Sequence, residues 1–181
     1  MTYITALTLD QADSATAATL TAVKAQIGMI PNLFATLAKS PTALNSLLGL
    51  NQTIGAGTLT AAEREIIALA TSQANSCQYC VSAHTLLGKN AGLNPQELLA
   101  ARTASAGEGR AAAIAAYVKA LVEQRGHVTP DSLDQFKAQG LNEADLLEII
   151  ANVVATTLTN YTNNVARTKI DFPVVTLELA V

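Results

Sequence analysis

The sequence predicts an all-α protein, and three observations support that prediction. Half of its 181 residues are apolar, but only 4% are aromatic and Trp is absent, so Ala, Leu, Ile and Val carry the hydrophobicity. Signals for helix starts recur along the chain, whereas strand-like alternation is confined to the termini. No linker or low-complexity segment divides the sequence. We therefore expect one helical domain over residues 1–181, long enough to enclose a sizeable core.

Caps and prolines define the boundaries of nine predicted helices. Thr60 and Glu63 form a capping box, in which each side chain satisfies a free backbone N–H at a helix start. Asn94 and Pro95 combine an N-cap with proline at the first helical position, and Thr129-Pro130 repeats this pattern. The predicted helices span residues 11–27, 32–38, 41–55, 60–74, 77–90, 95–104, 109–125, 130–138 and 142–168.

The two ends of the chain are less regular. Pro31 and Pro41 keep the N-terminal helices short, because the residue before a proline is pushed out of helical geometry. After the last helix, the tail from Asp171 to Val181 is too short to be a domain. We expect it to pack as an arm, or to pair with a neighbour as a strand through residues 174–177.

A faint internal repeat relates residues 59–69 to residues 141–152. With one inserted residue, the alignment places Glu65 on Glu148, Cys77 on Asn160, Cys80 on Asn163 and His84 on Arg167. A second copy would therefore keep the acid and lose both thiols. Chance similarity between two amphipathic helices explains the pattern equally well, so an internal two-fold helical repeat stays open.

Charge and hydropathy exclude several functional classes. The chain has 11 Lys and Arg against 14 Asp and Glu, a formal net charge of -3, and no basic cluster that would bind nucleic acid. Its N-terminus has no Lys or Arg before a short apolar stretch, and no apolar run approaches the length of a membrane span. We expect a soluble, cytoplasmic protein that binds neither nucleic acid nor membrane.

The most informative residues are two cysteines and a histidine. Cys77, Cys80 and His84 are spaced so that, at about 100° per residue, all three project from one helix face. Cys77 near the helix start feels a backbone dipole that favours a thiolate. His84 lies four residues after Cys80, where an imidazole can accept the thiol proton. The spacing therefore predicts a redox-active thiol pair with its own base.

Glu65 adds an acid to this group. If the chain reverses near Asn75-Ser76, Glu65 lies about ten residues before the reversal and His84 about eight after it. Antiparallel packing then brings the carboxylate level with the imidazole and farther from Cys77. We expect a relay from Glu65 through His84 to Cys80, in which the acid orients the imidazole and stabilises its charged form.

Simpler interpretations of these residues stay open. Buried free cysteines are often ordinary small apolar residues, and a lone glutamate is usually a solvated helix residue. Cys77, Cys80 and His84 could instead hold zinc, but a closed site needs a fourth ligand, and the only other histidine is the distant His127. We expect His127 to cap a helix end, and we expect Tyr79 and Tyr161 to be packing residues.

The spacing Glu65-x11-Cys77-x2-Cys80-x3-His84 resembles the signature of the alkylhydroperoxidase D (AhpD)-like branch of the carboxymuconolactone decarboxylase superfamily. Residues 27–34, Ser40-Pro41, Asn160-Tyr161 and residues 171–173 also resemble the peroxidase-related proteins of that branch, so the resemblance covers nearly the whole chain. One departure is that Tyr79 stands between the cysteines, where the authentic enzymes carry His.

This resemblance implies an all-helical fold that assembles into hexamers or trimers and reduces hydroperoxides through a cysteine pair. It assigns Cys80 as the peroxidatic cysteine, Cys77 as the resolving cysteine, and His84 and Glu65 as the proton relay. It also implies re-reduction by a dithiol or a lipoyl-bearing protein. The decarboxylases of the superfamily lack the cysteine pair, which disfavours lactone decarboxylation.

The function expected from the sequence is thus a thiol-dependent hydroperoxide reductase in antioxidant defence, with no metal and no organic cofactor. An alternative is a dithiol–disulfide oxidoreductase that acts on a protein partner and reduces peroxide only slowly. A third is a non-enzymatic metal-binding or structural protein.

Overall fold

The computed structural model describes residues 1–104 and 107–179, and all regular secondary structure within these ranges is α-helical. No helix in these ranges is long and apolar enough to cross a membrane. The all-α prediction is therefore confirmed. The helices are α1 (Ser14–Ile27), α2 (Asn32–Leu37), α3 (Pro41–Gly55), α4 (Ala61–Ala74), α5 (Gln78–Asn90), α6 (Pro95–Thr103), α7 (Arg110–Glu123), α8 (Pro130–Ala138) and α9 (Glu143–Ala166).

The helix boundaries follow the predicted caps within a few residues. Thr60 and Glu63 form the capping box at the start of α4, where the Thr60 N–H donates to Glu63 Oε2 over 2.8 Å. The largest difference is at α1, which begins three residues later than predicted. Asp13 is its N-cap, because Asp13 Oδ1 accepts a hydrogen bond from the Thr16 N–H at 2.8 Å. At the other end, α9 stops at Ala166 because Arg167 adopts a left-handed φ of 49°.

Helix α4 is central to the fold and packs against α5, α6, α7 and α9. One apolar cluster lies between α4 and the C-terminal helices, and it includes the fully buried Ile67, Ile114 and Ile149. A second cluster joins α1, α2 and α3 to the start of α5 and contains both Cys77 and Cys80. The cysteines therefore lie inside the hydrophobic core.

The tail packs as an arm along α4, α5 and α6 in the part that the structure describes, up to residue 179. The Val175 N–H donates to Ser82 Oγ at 3.0 Å, and Gln73 Nε2 donates to the Leu177 carbonyl at 2.9 Å. The described part of the tail contains no strand, and residues 180–181 lie outside the described ranges. Of the two arrangements expected for the tail, the chain adopts the arm.

The internal repeat is limited to the starts of two helices. Asn142 and Asp145 form a capping box at the start of α9, as Thr60 and Glu63 do at α4. Beyond these caps the segments differ, because α4 and α5 are divided by a turn whereas α9 continues as one helix of 24 residues.

The two tyrosines considered as packing residues have different surroundings. Tyr79 is 5% exposed and meets Phe172 edge-on, with ring centroids 5.6 Å apart. Tyr161 is 59% exposed on the outer face of α9, so the prediction that it packs within the chain is wrong. The helical period at this point turns Tyr161 away from α4 and α5 while it turns Asn160 inward.

Candidate active site

A helical hairpin positions the two cysteines. The chain reverses between α4 and α5 at Asn75 and Ser76, where Ser76 takes a positive φ of 52°. Cys77 is the N-cap of α5, and its Sγ accepts a hydrogen bond from the Cys80 N–H at 3.4 Å. The thiol thus replaces the oxygen that usually caps a helix start. This cap holds the Cys77 sulfur over the first turn of α5, beside Cys80.

The two sulfur atoms are in direct contact. Both cysteines are free thiols, and Cys77 Sγ lies 2.7 Å from Cys80 Sγ. Asn163 on α9 donates from Nδ2 to Cys80 Sγ at 3.2 Å, and Thr159 Oγ1 lies 3.9 Å from the same sulfur. Cys77 and Cys80 are 0% and 2% exposed. The thiol pair is therefore enclosed by α5 on one side and α9 on the other.

Glu65 and His84 form a second pair on the facing sides of α4 and α5. His84 Nδ1 lies 2.8 Å from Glu65 Oε2, so the approach expected from antiparallel packing is present. The imidazole and carboxylate side chains remain 23% and 19% exposed. Because Glu65 occupies Nδ1, the Nε2 atom of His84 is left for the reacting groups. The described side chains include no hydrogen bond between His84 and Cys80, so the imidazole acts on the thiol through its charge.

The surroundings of Cys80 favour its thiolate. The hydrogen bond from the Cys77 thiol is the largest influence, and the charge of His84 and the amide of Asn163 act in the same direction, against burial. Together they lower the pKa of Cys80 to about 6. At neutral pH Cys80 is then mostly a thiolate, the form that reacts as a nucleophile.

Cys77 and His84 hold the protons in this group. The hydrogen bond to Cys80, followed by burial, raises the pKa of Cys77 far above its usual range. The expectation that the helix start favours a Cys77 thiolate is therefore wrong, because these two effects outweigh the backbone dipole. Burial by itself would lower the pKa of His84, but the adjacent Glu65 carboxylate and the Cys80 charge outweigh it, and the pKa of His84 is raised. A charged imidazole next to a thiolate can supply a proton to a leaving group.

A cavity of about 430 Å³ connects these groups. Cys80, His84 and Glu65 line it, whereas Cys77 lies behind Cys80 and is not part of its wall as the structure describes it. Most of the remaining wall is apolar. It includes Leu33, Phe34, Leu47, Ile54, Leu87 and Phe172.

Two segments from opposite ends of the chain meet at the wall of this cavity. Asp171 Oδ2 accepts a hydrogen bond from the Asn32 N–H at 2.7 Å, which ties the tail to the start of α2. The Leu33 N–H donates to the Tyr79 hydroxyl oxygen at 3.2 Å, and Tyr79 contacts Phe172. Burial raises the pKa of Tyr79, so its phenol stays protonated. Tyr79 therefore joins α5 to both segments.

The side chains that α9 contributes to the site were not predicted from the sequence. Asn163 and Thr159 approach Cys80 across 83 and 79 positions of sequence. The alignment of Asn163 with Cys80 in the faint repeat was the only signal, and there it suggested the loss of a thiol. His127, the remaining histidine, is exposed in the turn after α7, where its N–H donates to the Gln124 carbonyl at 3.0 Å.

Binding of zinc by the cysteines and His84 would require several ligand side chains arranged around one point. Among residues 1–104 and 107–179, no group of three or more His, Cys, Asp and Glu side chains is arranged to hold a metal ion.

The chain is similar to known proteins both in sequence and in fold. Residues 41–123 match the sequence model of the carboxymuconolactone decarboxylase family. The comparison with curated proteins gave no match. A peroxidase-related protein from Ralstonia eutropha JMP134, described as an alkylhydroperoxidase AhpD core, is 22% identical with a TM-score of 0.83, over 94% of this chain and 92% of that chain.

The chain has the AhpD-like fold, and the carboxymuconolactone decarboxylase family model matches it over residues 41–123. A peroxidase-related protein from Silicibacter sp. TM1040 is also similar, at 21% identity and a TM-score of 0.77, over 92% of this chain and 91% of that chain. The debrominase Bmp8 is 21% identical with a TM-score of 0.78, over 94% of this chain and 93% of that chain. A cysteine-to-alanine variant of Bmp8 in complex with 2,3,4-tribromopyrrole has a TM-score of 0.79 at 20% identity, over 94% of this chain and 92% of that chain.

In this AhpD-like chain, the matched segment contains the four residues of the sequence motif. Glu65, Cys77, Cys80 and His84 all lie within residues 41–123. Helix α9, which supplies Asn163, lies beyond that segment.

Proposed function

We propose that the protein is a thiol-dependent reductase of organic hydroperoxides, with Cys80 as the attacking thiol. The observation that carries this proposal is the position of Cys80. Its sulfur lines an apolar cavity together with the His84–Glu65 pair, and a second thiol lies 2.7 Å behind it. An electrophile that enters the cavity would therefore meet a thiolate, a proton donor and a resolving thiol.

In the first step the Cys80 thiolate attacks the terminal oxygen of the hydroperoxide. A sulfur–oxygen bond forms, the oxygen–oxygen bond breaks, and the electron pair of that bond leaves on the alkoxide. His84, whose charged form is stabilised by Glu65 at 2.8 Å, supplies the proton that converts the alkoxide to an alcohol. Cys80 is left as a sulfenic acid.

In the second step Cys77 attacks the oxidised sulfur of Cys80 and displaces water, forming an intramolecular disulfide. The pKa of Cys77 is raised mainly by its hydrogen bond to Cys80, with burial and the Cys80 charge adding to it. Oxidation of Cys80 to the sulfenic acid removes that negative charge. Cys77 then no longer donates its proton in a hydrogen bond to a Cys80 thiolate. The resolving thiol is therefore activated only after the first step is complete.

The cavity suggests the class of substrate and reductant. Its largely apolar wall favours an organic hydroperoxide over hydrogen peroxide, since an alkyl or aryl group gains from burial there. A thin dithiol, such as a lipoyl arm, could reach the buried disulfide through the same cavity. Renewal of both thiols requires a reducing compartment, such as the cytoplasm predicted from the sequence.

The second candidate is a dithiol–disulfide oxidoreductase that acts on a protein partner. Its cysteine pair suits the chemistry, but 0% and 2% exposure leaves little sulfur surface for a folded protein to approach. The named debrominase with this fold indicates that the fold also accommodates other chemistry. A small substrate is preferred because both thiols are buried and only the Cys80 sulfur is reached, through an apolar cavity.

Rates with two substrates test the proposal. We expect the reduced protein to consume one equivalent of cumene hydroperoxide per chain in a single turnover, faster than it reduces a protein disulfide at equal concentration. Cys80→Ser should abolish consumption, and Cys77→Ser should retain one turnover and leave a sulfenic acid that dimedone traps. Faster reaction with the protein disulfide would favour the second candidate, and undiminished consumption by Cys80→Ser would reject the proposed role of Cys80.

A further inference from the structure

Asn163 is the side chain of α9 that makes the closest contact with the reactive sulfur. It is 3% exposed, and its Nδ2 atom donates to Cys80 Sγ at 3.2 Å. None of the four motif residues predicted from the sequence comes from α9. The contact therefore adds a group that the cysteine motif does not contain.

The neighbouring hydroxyl cannot serve in place of this amide. Thr159 Oγ1 lies 3.9 Å from Cys80 Sγ, but its single proton is donated to the Thr156 carbonyl at 2.8 Å. Among the described residues, the side chains that donate to the Cys80 sulfur within 3.2 Å are then the Cys77 thiol and the Asn163 amide, and the Asn160 amide has a smaller influence on it. Of the two close donors, only the Asn163 amide keeps its proton through the reaction, because Cys77 must lose its proton to form the disulfide.

The oxygen of the Asn163 amide has no hydrogen-bond partner within residues 1–104 and 107–179. Oδ1 of Asn163 is buried and accepts no hydrogen bond from the described residues. An unsatisfied buried acceptor destabilises the fold, and such groups in native proteins often serve function. Asn160, three residues earlier, differs in this respect: its Nδ2 donates to Ser72 Oγ at 3.1 Å and its Oδ1 accepts from Asn75 Nδ2 at 3.0 Å.

We propose that Asn163 is a further catalytic residue, which stabilises the Cys80 thiolate through its Nδ2–H and accepts the O–H of the Cys80 sulfenic acid at Oδ1. The assignment rests on the proposed function of Cys80 as the attacking thiol. An amide suits both states because its N–H can donate to a negative sulfur and its oxygen can accept from a neutral sulfenic acid.

The titratable groups around Cys80 come from α4, α5 and the tail. They are Cys77, His84, Glu65, Tyr79 and Asp171, and the charged Arg64 of α4 lines the same cavity. Helix α9 presents only the amides of Asn160 and Asn163 and the hydroxyl of Thr159 to this sulfur. A change at Asn163 therefore alters hydrogen bonding to Cys80 without removing a titrating group.

The test is the pH dependence of Cys80 alkylation by iodoacetamide, followed by peptide mass spectrometry in the full-length reduced protein. We expect Asn163→Leu to raise the midpoint by about one pH unit or more, because a hydrogen bond to a charged sulfur is lost. Asn164→Ala is the matched control, since Asn164 is exposed on the next position of α9 and donates to the Asn75 carbonyl. The control midpoint should not move.

Thermal unfolding of the same variants separates a catalytic role from a structural one. Leucine removes the unsatisfied Oδ1 as well as the donor, so the melting temperature should stay near that of the wild type while the midpoint rises. Asn163→Ala gives the same comparison if the larger leucine prevents folding. An unchanged midpoint in a folded variant would overturn the proposal, whatever its melting temperature.

These measurements use no peroxide, so they remain informative if the protein proves not to reduce hydroperoxides. A raised midpoint with no peroxide consumption by the wild type would leave Asn163 as a thiolate donor and reject the peroxidase function instead. A normal peroxide turnover with an unchanged midpoint would reject Asn163 alone.

Discussion

Cys77 and Cys80 lie three positions apart and have pKa values shifted in opposite directions. Their sulfur atoms share a hydrogen bond over 2.7 Å, so only one of them can release its proton easily. The hydrogen bond from the Cys77 thiol lowers the pKa of Cys80 most, the charge of His84 and the Asn163 amide lower it further, and Cys80 is therefore the thiol that ionises first. At the scale of single residues, the neighbours of each sulfur thus distinguish a thiol that ionises readily from one that keeps its proton.

The charge of His84 should control how readily Cys80 reacts at neutral pH. His84→Gln removes that charge, so the pKa of Cys80 should rise from about 6 toward the ordinary value of a free cysteine, about 8.5. Alkylation of Cys80 at pH 7 should slow accordingly, and the rates should converge at a pH above both values. His127→Gln, a change at the exposed histidine after α7, is the control and should leave the profile unaltered.

Glu65 should act through His84. Glu65→Gln keeps the size of the side chain but removes the charge that favours the imidazolium, so the midpoint for Cys80 should shift in the same direction by a smaller amount. The double variant should behave much like His84→Gln, because residues that act as a unit give non-additive effects. Additive shifts in the double variant, or an unchanged profile in both single variants, would mean that no relay exists.

At the scale of helices, the start of α5 prepares the two cysteines for a disulfide. Cys77 caps the helix and Cys80 lies in its first turn, so the sulfur atoms meet with little change in the backbone. We expect peroxide-treated protein to lose two hydrogens per chain by mass spectrometry and to regain them with dithiothreitol. No third cysteine exists to compete. Accumulation of sulfinic acid at Cys80 while Cys77 remains a free thiol would contradict the resolving role.

Arg110 at the start of α7 links three helices. Its guanidinium contacts Glu63 of α4 at 2.6 Å and both carboxylate oxygens of Asp145 at the start of α9 at 2.8 Å. Asp145 is buried, so Arg110→Met would leave its charge without this partner. Because Arg110 is itself partly exposed, we expect a loss of about 1–3 kcal/mol in the free energy of unfolding at pH 7, measured by urea denaturation. Lys119→Met, an exposed change on the same helix, is the control.

The same contact predicts how stability depends on pH. Arg110 lowers the pKa of Asp145 below its ordinary value, so the folded state binds a proton less readily than the unfolded state. The contribution of Asp145 is therefore complete above about pH 4 and is lost as the pH falls through its lower folded value. The difference between wild type and Arg110→Met should shrink below pH 4. A difference that stays constant over this range would exclude the ion pair as its source.

At the scale of the whole molecule, α9 presents an apolar stripe to the outside. Leu147, Val154, Tyr161 and Val165 are between 55% and 69% exposed and recur at helical spacing. Exposed apolar patches of this kind mark subunit contacts. We predict a homo-oligomer, with a hexamer as the first choice and a trimer as the second on the family resemblance, and with α9 at a contact between copies.

Light scattering after size exclusion tests this prediction at micromolar concentration. Val154→Glu places a charge in the middle of the stripe and should reduce the mass of the assembly, whereas Glu178→Gln in the tail should not. A monomeric wild type would show that the stripe is not a self-association surface.

The sequence by itself determined the helix boundaries within a few residues, the approach of Glu65 to His84 and the closeness of Cys77 to Cys80. Caps, prolines and short spacings are local, so their consequences follow from helical geometry and one chain reversal. Only the tertiary structure decided that Cys80 lines the cavity, that α2, α3 and the tail enclose it, and that Asn163 contacts its sulfur. These contacts join positions far apart in the chain, and they depend on how the helices pack, which no local pattern encodes.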